Sequence, residues 1–196
     1  MYMKQFSAKT FNIPQLKGIS AKNIEEHLKL YQGYVKNANS VLEKINELKV
    51  DYEKNAYIIG ELNRRFSFEY NGMRNHEHYF ASFEGGPKAI SPGHLKDLIM
   101  ETWGDFDSWQ KEFKTLALTR GIGWAMLYWD KKEQRLINSW VDEQHLGQLQ
   151  DCTPIVALDM WEHSYVADYL PSGKKNYIED YFANLNWDQA GKNFLI

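Results

Sequence analysis

The sequence predicts an α+β protein: a long N-terminal α-hairpin, then an α/β portion built around a small antiparallel β-sheet. Three observations carry that expectation. Helical spacing of apolar residues persists from about residue 19 to residue 83 with one short polar joint, and Gly85-Gly86-Pro87 then ends it. Beyond that break, apolar and aromatic runs bounded by polar turns appear among shorter helical patterns. The expected domains are residues 1–86 and residues 87–196.

In the first helix, over 19–49, Ile24, Leu28, Tyr31, Val35, Ala38, Leu42 and Ile45 recur at helical spacing, with Ser20 as N-cap. The second runs from about Asn55 to Phe83. A short polar turn between two long helices makes an α-hairpin. SPGHLKDLIMETW and DFDSWQKEFKTLAL then suggest two ordinary helices, each opened by a Ser or Asp cap. GWAMLYWD and RLINSWVD suggest a pair of strands around the turn KKEQ, and PIVALDMW a third. After SYVADYL and the loop PSGKK, NYIEDYFANLNW is the expected closing helix.

Hydrophobic residues make up 43% of the 196-residue chain and aromatics 15%, so it should bury a core. Its net charge of −3 gives no general attraction for nucleic acid. A single cysteine, Cys152, excludes a disulfide framework and a CxxC metal clamp. No apolar run reaches the roughly 18 residues of a membrane span, and the N-terminal segment lacks a secretory apolar core. The expected location is the cytoplasm.

Six histidines are the main chemical signal. An antiparallel hairpin could bring His27 and His76 to one seam. Asp159 and His163 stand four apart just after a strand, and a helical turn there would converge them on one centre. Three imidazoles and a carboxylate suit Fe, Mn or Zn. A non-haem metal oxygenase, a hydrolase and a non-catalytic metal-binding dimerisation module all share that donor set, although no H-E-x-x-H spacing is present.

IEEH with YVKNAN downstream, NGMRNHEHYF, GIGWAML, DMWEHSY and NYIEDYFANLNW follow one another along the chain. In that order they resemble five segments of the iron/manganese superoxide dismutase family: its first helix, its N-H-x-x-aromatic-aromatic motif, its G-S-G-W-x-W-L strand, its D-x-W-E-H-A-Y signature and its Y-I-x-x-F-x-x-x-x-N-W close. The resemblance implies an oxidoreductase that disproportionates superoxide at one Fe or Mn ion per subunit, iron being slightly favoured. It implies His27, His76, Asp159 and His163 as ligands, Trp124 and Trp161 as walls, and Phe80 where the family usually has tryptophan. Tyr34 corresponds to the family's gateway tyrosine. It implies a homodimer, or a larger assembly of dimers, with Glu162 reaching the partner subunit's His163 and Tyr165 packed near the interface. Lys174 corresponds to a family arginine near the substrate entrance, and Lys29 lies close by.

The chain departs from the family pattern in three places. Seven residues rather than eight separate His27 from Tyr34, so the loss of a local bulge would leave a regular helix. Leu30 and Val166 then stand where the family places a histidine and a tyrosine paired across the dimer. Losing one partner alone would strand a buried polar group at about 1–3 kcal/mol, so replacing both is the cheaper change. Gly72 occupies one of the two places from which the family's glutamine holds the metal's water. In SWVDEQHLG the role is therefore expected of His145, with Gln144 as second candidate.

Overall fold

The computed structural model describes residues 4–194. Helix α1 spans Ala21–Leu48 and α2 Tyr52–Ala81, joined by a single 3₁₀ turn at Lys49–Asp51. Ser20 caps α1 by accepting from the Asn23 amide at 3.1 Å, and Asp51 caps α2 by accepting from Lys54. Such caps satisfy amides that have no partner inside a helix. The buried stripe of α1 runs Ile24, His27, Tyr31, Val35, Ala38, Ile45, so His27 takes the position expected of Leu28, which is only partly covered. Helix α1 is unbroken through the segment one residue shorter than the family pattern. Gly85 and Gly86, with φ of 77° and 80°, turn the chain out of α2 in a conformation that side chains with a Cβ rarely adopt.

Helices α3 (His94–Trp103) and α4 (Phe106–Ala117) follow. Asp105 caps α4, but α3 starts at Gly93 with no side-chain cap, so the expected Ser91 cap is displaced by the intervening Pro-Gly turn. Strands β1 (Gly123–Asp130) and β2 (Arg135–Asp142) occupy the predicted residues; β3 covers Cys152–Asp159 and stops two residues before the predicted end. The sheet order is β2-β1-β3, all antiparallel, with β1 buried almost throughout. The predicted closing helix, 176–187, is α5 (Lys174–Asn184), which ends early where Leu185 is extended, and an unexpected further helix, α6 (Trp187–Phe194), follows it.

Two placements position the site. The β1–β3 register sets Trp124 opposite Asp159, and one apolar cluster joins Tyr31 of α1 and Phe80 of α2 to Trp124 and Leu158 of the sheet. Among the described residues no helix is long and apolar enough to cross a membrane.

Candidate metal centre

Four side chains from four elements meet between the hairpin and the sheet. His27 comes from the middle of the α1 stripe, His76 from α2, Asp159 from the last residue of β3, and His163 from the 3₁₀ turn Glu162–Ser164. One donor atom from each lies within 4.8 Å of the others. The turn is tight because the Ser164 hydroxyl lies in hydrogen-bonding range of the Asp159 and Trp161 carbonyls, at 3.0 and 2.6 Å, and α1 is tied to it by Asn23 Nδ2 donating to the Ser164 carbonyl. Asp159 Oδ1 accepts from the Trp161 amide at 2.8 Å, which orients Oδ2 towards the imidazoles.

Three Nε2 atoms converge on that single oxygen: His27 at 3.1 Å, His163 at 3.2 Å and His76 at 3.5 Å. His76 Nδ1 donates to the Gly72 carbonyl at 2.6 Å, so Nε2 is left with a lone pair and no hydrogen bond. A lone pair facing a carboxylate oxygen in a buried pocket is repulsive unless a cation lies between them. An imidazole whose other nitrogen is held by a backbone carbonyl is also the usual condition of a metal-ligating histidine. The donors therefore fit a metal ion.

Charge states agree. Burial pushes His76 down to about 3, helped by the neighbouring His27, and burial lowers His27 against the opposing pull of Asp159. Burial alone would raise Asp159, but the adjacent His163 and His27 outweigh it and hold the carboxyl below the usual carboxylate range. Neutral imidazole and ionised carboxylate are the forms that bind metal.

Aromatic rings close the pocket. Phe80 and Tyr79 each lie 4.9 Å from the His27 ring, Trp124 lies 5.1 Å from His76, and Trp161 stacks on His163 at 5.7 Å and 22°. Tyr34 lies 5.0 Å from the His76 ring, directly over Gly72. A Cβ at position 72 would fall 2.5 Å from the Tyr34 ring, so glycine there makes room for the tyrosine.

Of the Gln144-His145 pair, Gln144 is the one hydrogen-bonded beside the centre. Gln144 Oε1 accepts from Trp124 Nε1 at 2.9 Å, and its Nε2 donates to the Tyr34 hydroxyl at 3.0 Å. Indole nitrogen only donates, so the amide orientation follows from chemistry. His145 instead packs edge-on against Phe68 at 5.6 Å, with Nδ1 buried and unpartnered. The reason lies in the backbone: β2 ends at Asp142, Glu143 takes a left-handed φ of 51°, and the alternation of a strand does not continue past it. Asn75 Nδ2 fastens the turn by donating to the Gln144 carbonyl. Asn75 and Tyr79 stand in the N-H-x-x-aromatic-aromatic motif around His76, but the sequence assigned neither of them a role.

Other expected residues lie apart. Lys174 Nζ donates to the Thr119 carbonyl at 2.8 Å and its amine is lowered by burial. Lys29 pairs with Glu25 and Glu26. Tyr165 is buried and stacks on Tyr177 at 5.4 Å. Glu162 is exposed, as are Leu30 at 42% and Val166 at 44%.

Residues 91–193 match the family model described as iron/manganese superoxide dismutases, C-terminal domain. A superoxide dismutase [Fe] of Cupriavidus metallidurans is 33% identical over 183 residues, 92% of this chain and 90% of the relative. The chain belongs to the iron/manganese superoxide dismutase family. A second family member, the superoxide dismutase [Fe] of Aquifex aeolicus, is 32% identical over 91% of this chain and 85% of its own length. The superoxide dismutase [Mn] of Haloarcula marismortui is 32% identical, over 84% of this chain and 79% of its own. Family members of both metal types thus align with most of the chain.

Proposed function

We propose that the protein converts superoxide to dioxygen and hydrogen peroxide at one iron or manganese ion held by His27, His76, Asp159 and His163. The observation that carries this reading is the convergence of three Nε2 atoms on Asp159 Oδ2. The centre would bridge a 1–86 unit and an 87–196 unit.

The bound ion supplies one-electron redox cycling. Trp124, Phe80 and Tyr79 exclude bulk water from the ligand face. Burial, then the nearby Asp159, raises Tyr34 and keeps its phenol protonated. Because the Tyr34 oxygen accepts from Gln144, its own proton stays available to a small anion entering beside it. Gln144, fixed at its oxygen by Trp124, holds the tyrosine beside His76, and its second amide proton would be free for a water on a bound ion.

A homodimer is part of the same reading. Glu162, Leu30 and Val166 are all exposed, so Glu162 would be free to reach the partner subunit's His163, and Leu30 and Val166 would give the joint an apolar contact where the family has a hydrogen bond. Under this reading the enzyme works in the cytoplasm, where one free cysteine stays reduced.

Metal analysis with a superoxide-consumption assay tests the function, and sedimentation tests the dimer. Iron- or manganese-loaded protein is expected to consume superoxide. Bound iron or manganese without consumption would leave a metal-binding dimerisation module, and zinc alone would point to a hydrolase. Asp159→Ala is expected to abolish both metal binding and consumption.

A further inference from the structure

From the His27 side of the metal centre a line of tyrosines leads to the surface. The His27 ring is 4.9 Å from that of Tyr79, and the Tyr79 hydroxyl oxygen is 3.2 Å from that of Tyr177. The Tyr177 ring is 6.2 Å from that of Tyr169, whose hydroxyl donates to Asp180 Oδ2 at 2.6 Å. Tyr79 and Tyr177 are fully buried; Tyr169 is partly exposed.

The members differ in one chemical respect. A phenol that loses an electron becomes a strong acid, so it is oxidised most easily where a base can take its proton. Tyr177 faces the Asp159 backbone carbonyl at 2.9 Å, and Tyr79 faces only the Tyr177 hydroxyl; neither partner is a base. Tyr169 faces the Gly18 carbonyl at 2.8 Å and, nearer still, a carboxylate. That contact depends on Gly18, which has a left-handed φ of 73° and whose Cβ would collide with both the Asp180 carboxylate and the Tyr169 hydroxyl. The end of the line is built for proton-coupled oxidation, and the interior is built to pass charge on.

We propose that Tyr79, Tyr177 and Tyr169 form a relay that draws one-electron oxidising equivalents from the metal centre to the surface, sparing the ligands. The proposal rests on the metal-centre reading and takes its oxidant from the product of that reaction. An ion held by His27, His76, Asp159 and His163 would, when reduced, give one electron to hydrogen peroxide, whose O–O bond would break to leave hydroxide and an oxidant at the level of hydroxyl radical. That oxidant takes one electron through Tyr79 and Tyr177 and becomes a second hydroxide. Tyr169 supplies the electron and passes its proton to Asp180, leaving a neutral tyrosyl radical that outside reductants can reach. The competing sink is Trp161, stacked on His163.

The test adds hydrogen peroxide to reduced, iron-loaded protein, with freeze-quenched electron paramagnetic resonance and spin-trap peptide mapping as readouts. The expected result is a tyrosyl signal with the trap on Tyr169. Tyr79→Phe keeps the ring but removes the phenol and leaves a ring far harder to oxidise, so it should lose most of the trap on Tyr169 although Tyr169 is intact. Asp180→Asn should lower it as well. Tyr169→Phe should shift oxidation to Trp161 and the ligand histidines and speed metal loss. An unchanged Tyr169 yield in Tyr79→Phe, or trapping confined to Trp161 in the wild type, overturns the relay. Superoxide consumption measured on the same samples separates the two readings: active protein with no Tyr169 radical sinks the relay alone, and protein that neither holds metal nor consumes superoxide sinks both.

Discussion

Replacing Gln144 by leucine tests which residue of the Gln144-His145 pair supports the site. Leucine is close to glutamine in volume, so little cavity opens and the cost is mostly polar. Trp124 Nε1 loses its acceptor while the ring is fully buried, which costs about 1–3 kcal/mol. The Tyr34 hydroxyl loses a donor but is only partly buried and can turn to water, which adds about 0.5–1 kcal/mol. The expected destabilisation is roughly 1.5–4 kcal/mol. With an m-value of about 2–3 kcal/mol/M in urea, the midpoint of the metal-free protein should fall by about 1 M. His145→Ala loses only an edge contact with Phe68 and should fall within about 1 kcal/mol of wild type, with superoxide consumption little changed. Gln144→Leu should also lower kcat, because Tyr34 is no longer held. Equal midpoints for the two variants, or a larger loss in His145→Ala, would refute the assignment of the polar bridge to Gln144.

Glycines on the hairpin give opposite signs. A Cβ at Gly33 or Gly60 meets nothing within 4 Å, so alanine at either should stabilise by about 0.5–1 kcal/mol, whereas Gly72→Ala, whose Cβ strikes the Tyr34 ring, should destabilise; urea titration reads all three. Burial holds His76 at about 3 and His78 at about 4, against 6.5 for an ordinary histidine, so the folded state binds fewer protons than the unfolded chain. Stability of the metal-free protein should be full above about pH 6.5 and fall on acidification, by up to about 1.4 kcal/mol per pH unit per histidine down to about pH 4; a flat profile between pH 7 and 5 contradicts it. Metal added at about 1,000 times its Kd should raise stability by about 4 kcal/mol, and a chelator should reverse the gain; His76→Ala should abolish it.

Much of the fold was legible because its signals are local. Ser20 beside an apolar stripe, Gly85-Gly86-Pro87 after another, and KKEQ between two apolar runs each act over a few residues, and the hairpin and the β1–β2 pair follow them closely. The candidate donors were legible as motifs in order, and the structure groups the four of them. Less legible were positions where a local signal competes with packing. Leu185 could have continued the closing helix by composition, but it turns extended, and the Asn186 amide donates to the Ser82 carbonyl instead.

The sequence by itself determined which residue types this protein can bring to a metal and the lengths of helix and strand that carry them, since periodicity, caps and turn residues act between neighbours in the chain. Tertiary structure alone decided which neighbour faces the site. Gln144 and His145 differ by one position, and only the left-handed turn at Glu143 points the first at Tyr34 and the second at Phe68. The same holds for the line from Tyr79 to Tyr169: its members touch because α2, the loop after β3 and α5 pack together, and contact across such separations leaves no periodic mark in a single chain.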